Sequence, residues 1–149
     1  MMKYNPNNHD RRSTRLKGFD YSQPGKYFIT ICTFDRECLF GEIVGQEMRL
    51  NEMGKVVQEE WLKTRDVRSN VDLGKFVVMP NHIHGILMTK DSLGGGNEQF
   101  ATRRGVSQYA PTAFESPSNT VGAIVRGFKS MCTKRINDIR GIHGDNVWQ

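Results

Sequence analysis

The segment VVMPNHIHGIL, residues 77–87, places the strongest constraint on the fold of this chain. Pro80-Asn81 separates two apolar, β-branched runs, which predicts two strands, 71–79 and 82–89, joined by a tight turn. Successive side chains of a strand point to opposite faces, so His82 and His84 project from one face and Ile83 from the other. Two imidazoles placed in this way can hold one divalent metal ion. Two surface histidines that merely alternate are the open alternative.

The remaining patterns predict an α+β fold with a ferredoxin-like antiparallel sheet and helices packed on it. Residues 27–34 are aromatic and β-branched on both faces, which predicts a central strand. Gly45-Gln46 predicts a hairpin turn between strands 39–44 and 47–50. Asn51 and Thr120 predict the starts of two helices, which end near residue 67 and at Gly141. The apolar stripe of the second helix is predicted to be Val121, Ile124, Val125, Phe128, Cys132, Ile136 and Ile139.

The composition is that of one soluble domain, residues 1–149, with 37% hydrophobic and 25% charged residues. No apolar run approaches the roughly 20 residues of a membrane span, and the N-terminus has no apolar signal region. We therefore expect no membrane partner. Cys32, Cys38 and Cys132 lack zinc-finger or redox-motif spacing, which favours a reducing compartment and a cytoplasmic location.

Basic residues are concentrated in two parts of this chain of net charge +5. Residues 1–18 are predicted to be a basic arm, and the second helix has a basic flank. The predicted DNA-binding residues are Arg11, Arg12, Arg15, Lys17, Arg126, Lys129, Lys134 and Arg140. A solvated helix face is the alternative for the last four. Residues 90–119, rich in Gly, Ser, Pro and Asn, are predicted to be a flexible loop.

Three stretches of the chain resemble the REP-associated tyrosine transposases, which are single-tyrosine HUH transposases. The stretches are RRSTRLKGFDYSQPGKYFITICTFDRECLFGEIV, FVVMPNHIHGIL and GAIVRGFKSMCTKRIN. The resemblance implies that His82 and His84 bind Mg²⁺ or Mn²⁺ and that the protein is a homodimer acting on single-stranded or hairpin DNA. It also implies that a tyrosine attacks a phosphodiester, leaving a 5′-phosphotyrosine and a free 3′-OH, so that the strand can later be rejoined.

The nucleophilic tyrosine of that family lies on helices that follow the motif matched by Val147-Trp148-Gln149. None of Tyr4, Tyr21, Tyr27 and Tyr109 matches its position, so we nominate no catalytic residue. We expect the C-terminal catalytic helices to be absent, apolar surface to be exposed on the sheet or the second helix, and the chain to be catalytically incomplete. The nucleophile would otherwise have to come from another polypeptide.

Two other functions remain open at the level of sequence. The first is a domesticated, non-catalytic protein that binds DNA hairpins, with affinity that depends steeply on salt and does not depend on His82. The second is a metal-dependent nuclease that uses water in place of tyrosine. The second ranks lower, because no pair of carboxylates stands near the histidines in the sequence.

Overall fold

The computed structural model describes residues 15–90 and 120–149. Its elements follow one another as β1 (Gly25–Cys32), β2 (Gly41–Val44), β3 (Glu47–Leu50), α1 (Glu52–Val67), β4 (Val71–Met79), β5 (His82–Thr89) and α2 (Val121–Arg140). A short 3-10 turn, Phe34–Arg36, follows β1. The predicted α+β class is confirmed. Most of the predicted basic arm and almost all of the predicted loop 90–119 lie outside the described residues.

The main sheet is antiparallel, with the strand order β1-β5-β4. In its register His84 lies between Thr30 of β1 and Val77 of β4, and His82 lies between Cys32 and Met79. The prediction that β1 is a central strand is wrong, because β5 occupies the centre. Apolar residues alternate onto both faces of β1, but one of those faces is open, so its Phe28 is 70% exposed.

The residues after α2 form an isolated bridge to the chain just beyond the end of β1. The Phe34 N–H donates to the Val147 carbonyl at 2.9 Å, and the Gln149 N–H donates to the Cys32 carbonyl at 3.0 Å. Thr33 and Trp148 form the antiparallel bridge between these hydrogen bonds. Strand, helix, two strands and helix therefore follow in ferredoxin-like order, with β2 and β3 as an inserted hairpin and the Trp148 bridge after the second helix.

The predicted hairpin is confirmed, and its turn uses two residues of positive φ. Gly45 has φ 56° and Gln46 has φ 70°, which is the two-residue turn that matches strand twist. The first strand begins at Gly41 instead of the predicted residue 39. Leu39 and Phe40 are buried, and the Phe40 N–H donates to the Pro80 carbonyl, so both belong to the core before the hairpin.

Both helices begin and end where the sequence predicts. The Asn51 side chain accepts a hydrogen bond from the Gly54 N–H, and the Thr120 hydroxyl accepts one from the Ala123 N–H. These are N-cap contacts that satisfy donors left free in the first turn. Gly141 ends α2 with a left-handed φ of 65°. Within the described ranges, no helix has both the length and the hydropathy needed to cross a membrane.

The two helices cover one face of the sheet, and the core lies between the helices and that face. Trp61 of α1 stacks on Phe76 of β4 with ring centroids 4.8 Å apart, and Phe128 of α2 meets the Trp61 ring edge-on. The predicted stripe of α2 is buried as far as Ile136, except for Val125, which is partly buried against the core. The prediction that Ile139 belongs to this buried stripe is wrong. Ile139 lies in the last turn, beyond the packed part of the helix, and is 45% exposed.

Candidate metal and nucleic-acid site

His82 and His84 lie side by side on the open face of the central strand. Their ring centroids are 4.7 Å apart, with the ring planes at 78°, and both side chains are half-buried. Ile83, between them, is fully buried on the opposite face against the helices. The predicted alternation is therefore confirmed, and the shared face leaves both rings accessible to a ligand.

Each imidazole is hydrogen-bonded through its Nδ1 atom. His82 Nδ1 lies 2.7 Å from Asn81 Oδ1, and His84 Nδ1 lies 2.9 Å from Thr30 Oγ1. Across the part of the chain that the structure describes, neither Nε2 atom makes a hydrogen bond. The Nε2 atoms are thus the nitrogens open to a metal ion or another ligand.

The electrostatic surroundings of His82 favour a neutral ring. Burial lowers the pKa of His82 below its usual value, and electrostatic interactions with His84 and with the Arg36 guanidinium lower it further. The ordinary pKa of histidine, about 6.5, already leaves the ring mostly neutral at pH 7. His82 therefore has the protonation state that a metal ligand needs.

Arg36 lies near the histidines but is not among the site residues predicted from the sequence. It lies in the turn after β1, where Asp35 and Arg36 both have left-handed φ angles, 50° and 56°. This turn brings the Arg36 carbonyl to Asn81 Nδ2, at 3.3 Å, and its charge acts on His82. Asp35-Arg36 reads in sequence as an ordinary polar loop, so no local signal connects it with the histidines.

Exposed apolar side chains lie beside the histidines. Phe28 stacks on His84 with centroids 5.4 Å apart and planes at 22°, while remaining 70% exposed. Val77, on the other side of His84, is 45% exposed. The predicted exposure of apolar surface on the sheet is confirmed at these two positions. An aromatic ring in this setting can stack with a nucleobase as well as with an imidazole.

Two imidazole nitrogens, Nε2 of His82 and Nε2 of His84, are the side-chain atoms placed to bind a metal ion. Among residues 15–90 and 120–149, no group of three or more His, Cys, Asp or Glu side chains is placed to hold an ion. Two adjacent imidazoles with unengaged Nε2 atoms fit a divalent ion as a partial ligand set. Water or phosphate oxygens would have to supply the other positions, as they do in many Mg²⁺ and Mn²⁺ sites.

The predicted DNA-binding residues do not form one cluster with the histidines. Arg126 and Lys134 are exposed on α2, which packs on the opposite face of the sheet, and Lys17 is exposed before β1. Arg15 lies over the Tyr21 ring, 6.0 Å from its centroid. Arg140 pairs with Asp145 at 3.7 Å. Arg11 and Arg12 fall outside the described residues.

Lys129 connects α2 with the edge of the sheet that leads to the histidines. Its Nζ donates to the Gln149 carbonyl at 3.1 Å, and the Gln149 N–H donates to Cys32. Cys32 is the register partner of His82.

A cleft of about 490 Å³ separates β1 from the start of α2. It is lined by Arg15, Tyr21, Phe28, Thr30, Val121 and Val125, among others.

The two tyrosines in the described ranges have structural hydrogen bonds. The Tyr21 hydroxyl accepts from the Leu16 N–H at 2.8 Å, and the Tyr27 hydroxyl donates to the Gln23 carbonyl at 2.7 Å. Their rings lie 5.9 Å apart, and Tyr27 alternates onto the covered face with Ile31. Neither hydroxyl is hydrogen-bonded to a histidine. Tyr4 and Tyr109 lie outside the described residues.

Comparison with known proteins gives a substantial similarity over nearly the whole chain. The chain is 40% identical over 147 residues to an uncharacterized protein of Haemophilus influenzae. The match covers 99% of this chain and 78% of the Haemophilus protein. No protein-family model matches the chain.

Proposed function

The chain belongs to the same protein family as the Haemophilus influenzae protein, and we propose that it is the DNA-binding and metal-binding domain of a transposase for single-stranded DNA. The observation that carries this proposal is the pair His82 and His84, adjacent on an open sheet face with both Nε2 atoms unengaged. The resemblance of three long stretches to tyrosine transposases gives the pair its proposed chemistry. A homodimer in the cytoplasm is part of the same proposal.

The histidines would hold Mg²⁺ or Mn²⁺, which when bound to phosphate oxygens neutralises charge that develops during transesterification. Around that position, the side chains of this domain would bind and orient the DNA. Arg36 places a positive charge near His82, where a scissile phosphate would lie. Phe28 offers an exposed ring beside His84 for an unpaired base. Arg126 and Lys129 would contact the backbone further along the strand.

Covalent chemistry would require a tyrosine hydroxyl at the scissile phosphate, and the hydroxyls of Tyr21 and Tyr27 are engaged with backbone groups. The Tyr21 hydroxyl accepts from the Leu16 N–H and the Tyr27 hydroxyl donates to the Gln23 carbonyl, so neither is paired with a histidine. We therefore propose that these residues alone bind DNA and metal without forming a phosphotyrosine link. In the complete reaction, a tyrosine oxygen would form a bond to phosphorus while the 3′-oxygen of the preceding nucleotide leaves.

Metal binding tests the central part of the proposal. Free Mn²⁺ gives an electron paramagnetic resonance signal that falls when the ion is bound, so titration of the protein yields a dissociation constant. We expect wild type to bind one Mn²⁺, and His82→Ala or His84→Ala to weaken binding at least tenfold. His143→Ala, an exposed histidine remote in sequence, is the matched control and should bind as wild type does. Equal binding by all four proteins would remove the histidine pair from the proposal.

Covalent attachment is tested separately with labelled hairpin DNA and Mn²⁺. The mixture is boiled and run on a denaturing gel, where a phosphotyrosine adduct survives as a shifted band. We expect no such band from residues 1–149. If one appears, the proposal that these residues form no covalent link to DNA is wrong, and Tyr109→Phe then tests Tyr109 as the nucleophile.

A non-catalytic hairpin-binding protein is the second candidate function. It is favoured by the absence of a third protein ligand near the histidines within the described ranges. Its signature would be hairpin affinity that is unchanged by His82→Ala and by removal of divalent ions with a chelator. For the transposase domain, we expect the chelator to weaken binding of the DNA strand that crosses the histidines.

A further inference from the structure

The two histidines have chemically different partners at Nδ1. Asn81 offers a side-chain amide to His82, while Thr30 offers a hydroxyl to His84. A neutral imidazole carries one proton, on either Nδ1 or Nε2, and the partner of one nitrogen decides the state of the other. The partners therefore determine which ring presents a lone pair at Nε2.

The orientation of the Asn81 amide is fixed by a second contact. Its Nδ2 donates to the Arg36 carbonyl at 3.3 Å, which only the NH₂ end of the amide can do. Oδ1 must then face His82, 2.7 Å away, and an amide oxygen can only accept. His82 Nδ1 consequently carries the proton, and the lone pair of the ring is on Nε2.

Thr30 imposes no such choice on His84. A hydroxyl can donate to a bare Nδ1 or accept from a protonated one, and Thr30 Oγ1 makes no other hydrogen bond among the residues the structure describes. In the first arrangement His84 presents an N–H at Nε2, and in the second it presents a lone pair. In the exchange the ring loses a proton from Nε2 to water and gains one from water at Nδ1, while the hydroxyl hydrogen of Thr30 rotates away from Nδ1.

We propose that Asn81 and Thr30 are positioning residues that make the metal site asymmetric: Asn81 presets His82 as a nitrogen ligand, and Thr30 permits His84 to become one when a divalent cation arrives. This inference rests on the proposed function for the identity of the ligand, but the tautomer of His82 is a property of the metal-free protein. His82 is thus the first anchor of the cation, and His84 the second.

The tautomers are measured without metal by long-range ¹H–¹⁵N correlation on protein labelled at histidine. The spectra are taken at pH 8, above the ordinary imidazole pKa of about 6.5. We expect His82 to show the Nδ1–H form in wild type. Asn81→Ala should shift it toward the Nε2–H form, and Asn81→Asp, which keeps an acceptor oxygen, should retain Nδ1–H. A wild-type His82 in the Nε2–H form would overturn the inference.

Mn²⁺ affinity supplies the second readout. Loss of an outer partner of a metal-binding histidine typically weakens the metal about 10–100-fold. We expect that range for Asn81→Ala and roughly a tenfold loss for Thr30→Val, while Asn81→Asp and Thr30→Ser stay within about threefold of wild type. Equal affinities across the four variants would overturn the assignment of positioning roles. If wild type binds no Mn²⁺ but His82 shows the Nδ1–H form, the proposed function fails and the tautomer assignment stands.

Discussion

Among the described residues, Glu60 is the one whose carboxylate side chain is buried, with 6% exposed. It lies between the helices, where Arg135 donates to its Oε1 at 2.6 Å and Lys63 donates at 3.1 Å. Burial alone would raise the pKa of Glu60, but the hydrogen bonds from Arg135 and Lys63 outweigh burial and lower it below the ordinary 4.5. The charged form is therefore the one that stabilises the contact between α1 and α2.

A lowered carboxylate pKa makes stability depend on pH in a definite direction. The unfolded chain takes up the Glu60 proton at higher pH than the folded chain, so this contribution is full above about pH 4.5 and is lost as pH falls through the folded pKa. Glu60→Gln should lower the free energy of unfolding at pH 7 by about 1–3 kcal/mol, because Arg135 loses its charged partner.

Urea unfolding at pH 7, 5, 4 and 3 measures this effect. The decline of stability between pH 5 and 3 should be shallower in Glu60→Gln than in wild type. Glu59→Gln is the matched control, because Glu59 pairs with the same arginine but is 54% exposed. An equally steep decline in Glu60→Gln would assign the acid sensitivity to other carboxylates.

How much of the site the sequence predicts depends on the distance along the chain. His82 and His84 lie two residues apart in one strand, and alternation alone places them on one face. Thr30 is 54 residues from His84, and Arg36 is 45 residues from Asn81. These contacts depend on strand register and on an irregular left-handed turn, and neither leaves a local pattern. The nitrogen pair could thus be predicted, but its hydrogen-bond partners could not.

The central strand β5 and the helix α1 approach each other closely at Gly85. A Cβ atom built on Gly85 would overlap the six-membered ring of Trp61 and lie 3.1 Å from Phe76 Cδ2. Trp61 is 2% exposed and stacks on Phe76, so it has little room to move. The absence of a side chain after His84 is therefore what lets α1 lie flat on the strand that carries the histidines.

Gly85→Ala should destabilise the fold by about 2 kcal/mol, within the usual cost of overpacking a filled core. Thermal unfolding followed by circular dichroism measures the change. Gly25→Ala is the matched control at the start of β1, where the new Cβ would meet Tyr27 at an ordinary 3.5 Å. A loss for Gly85→Ala no larger than that of the control would show that Trp61 can move aside.

The positions of the helices and strands could be predicted from the sequence, because the residues that begin and end each of them lie within a few positions of one another. The side-chain caps at Asn51 and Thr120 and the left-handed Gly141 lie at the predicted helix ends. The position of β1 at an edge was not predictable, since the order of strands depends on pairings between distant segments. Phe28 illustrates the ambiguity, because an apolar residue on an open face reads like one in a core.

For the molecule as a whole, the two faces of the sheet have different surroundings. The covered face and the helices hold the core, whereas the open face holds the histidines. Lys129 lies where α2 meets the β1 edge, through its contact with Gln149. In the proposed function, a nucleic-acid strand that crosses the histidines continues around this edge to the basic flank of α2.

Replacing Arg126 and Lys129 together by alanine should weaken binding of hairpin and unpaired DNA equally, whatever the sequence. Each lost phosphate contact on a single strand lowers the slope of log affinity against log salt by about 0.7. We expect a decrease near that value per residue, measured by fluorescence anisotropy between 50 and 300 mM salt. Lys55→Ala with Arg65→Ala removes the same charge from exposed positions of α1 and should leave the slope unchanged. Equal slopes for both double variants would make the α2 flank a solvated face.

The register around His84 also has a consequence for protein design. Val77 pairs with His84 on the neighbouring strand and is 45% exposed, so its replacement costs little core packing. Facing residues of paired strands have Cβ atoms about 5 Å apart. An aspartate or glutamate installed there would create two histidines and one carboxylate, the ligand set with which non-haem iron oxygenases activate dioxygen. This small sheet would then be a starting point for an artificial oxidation catalyst.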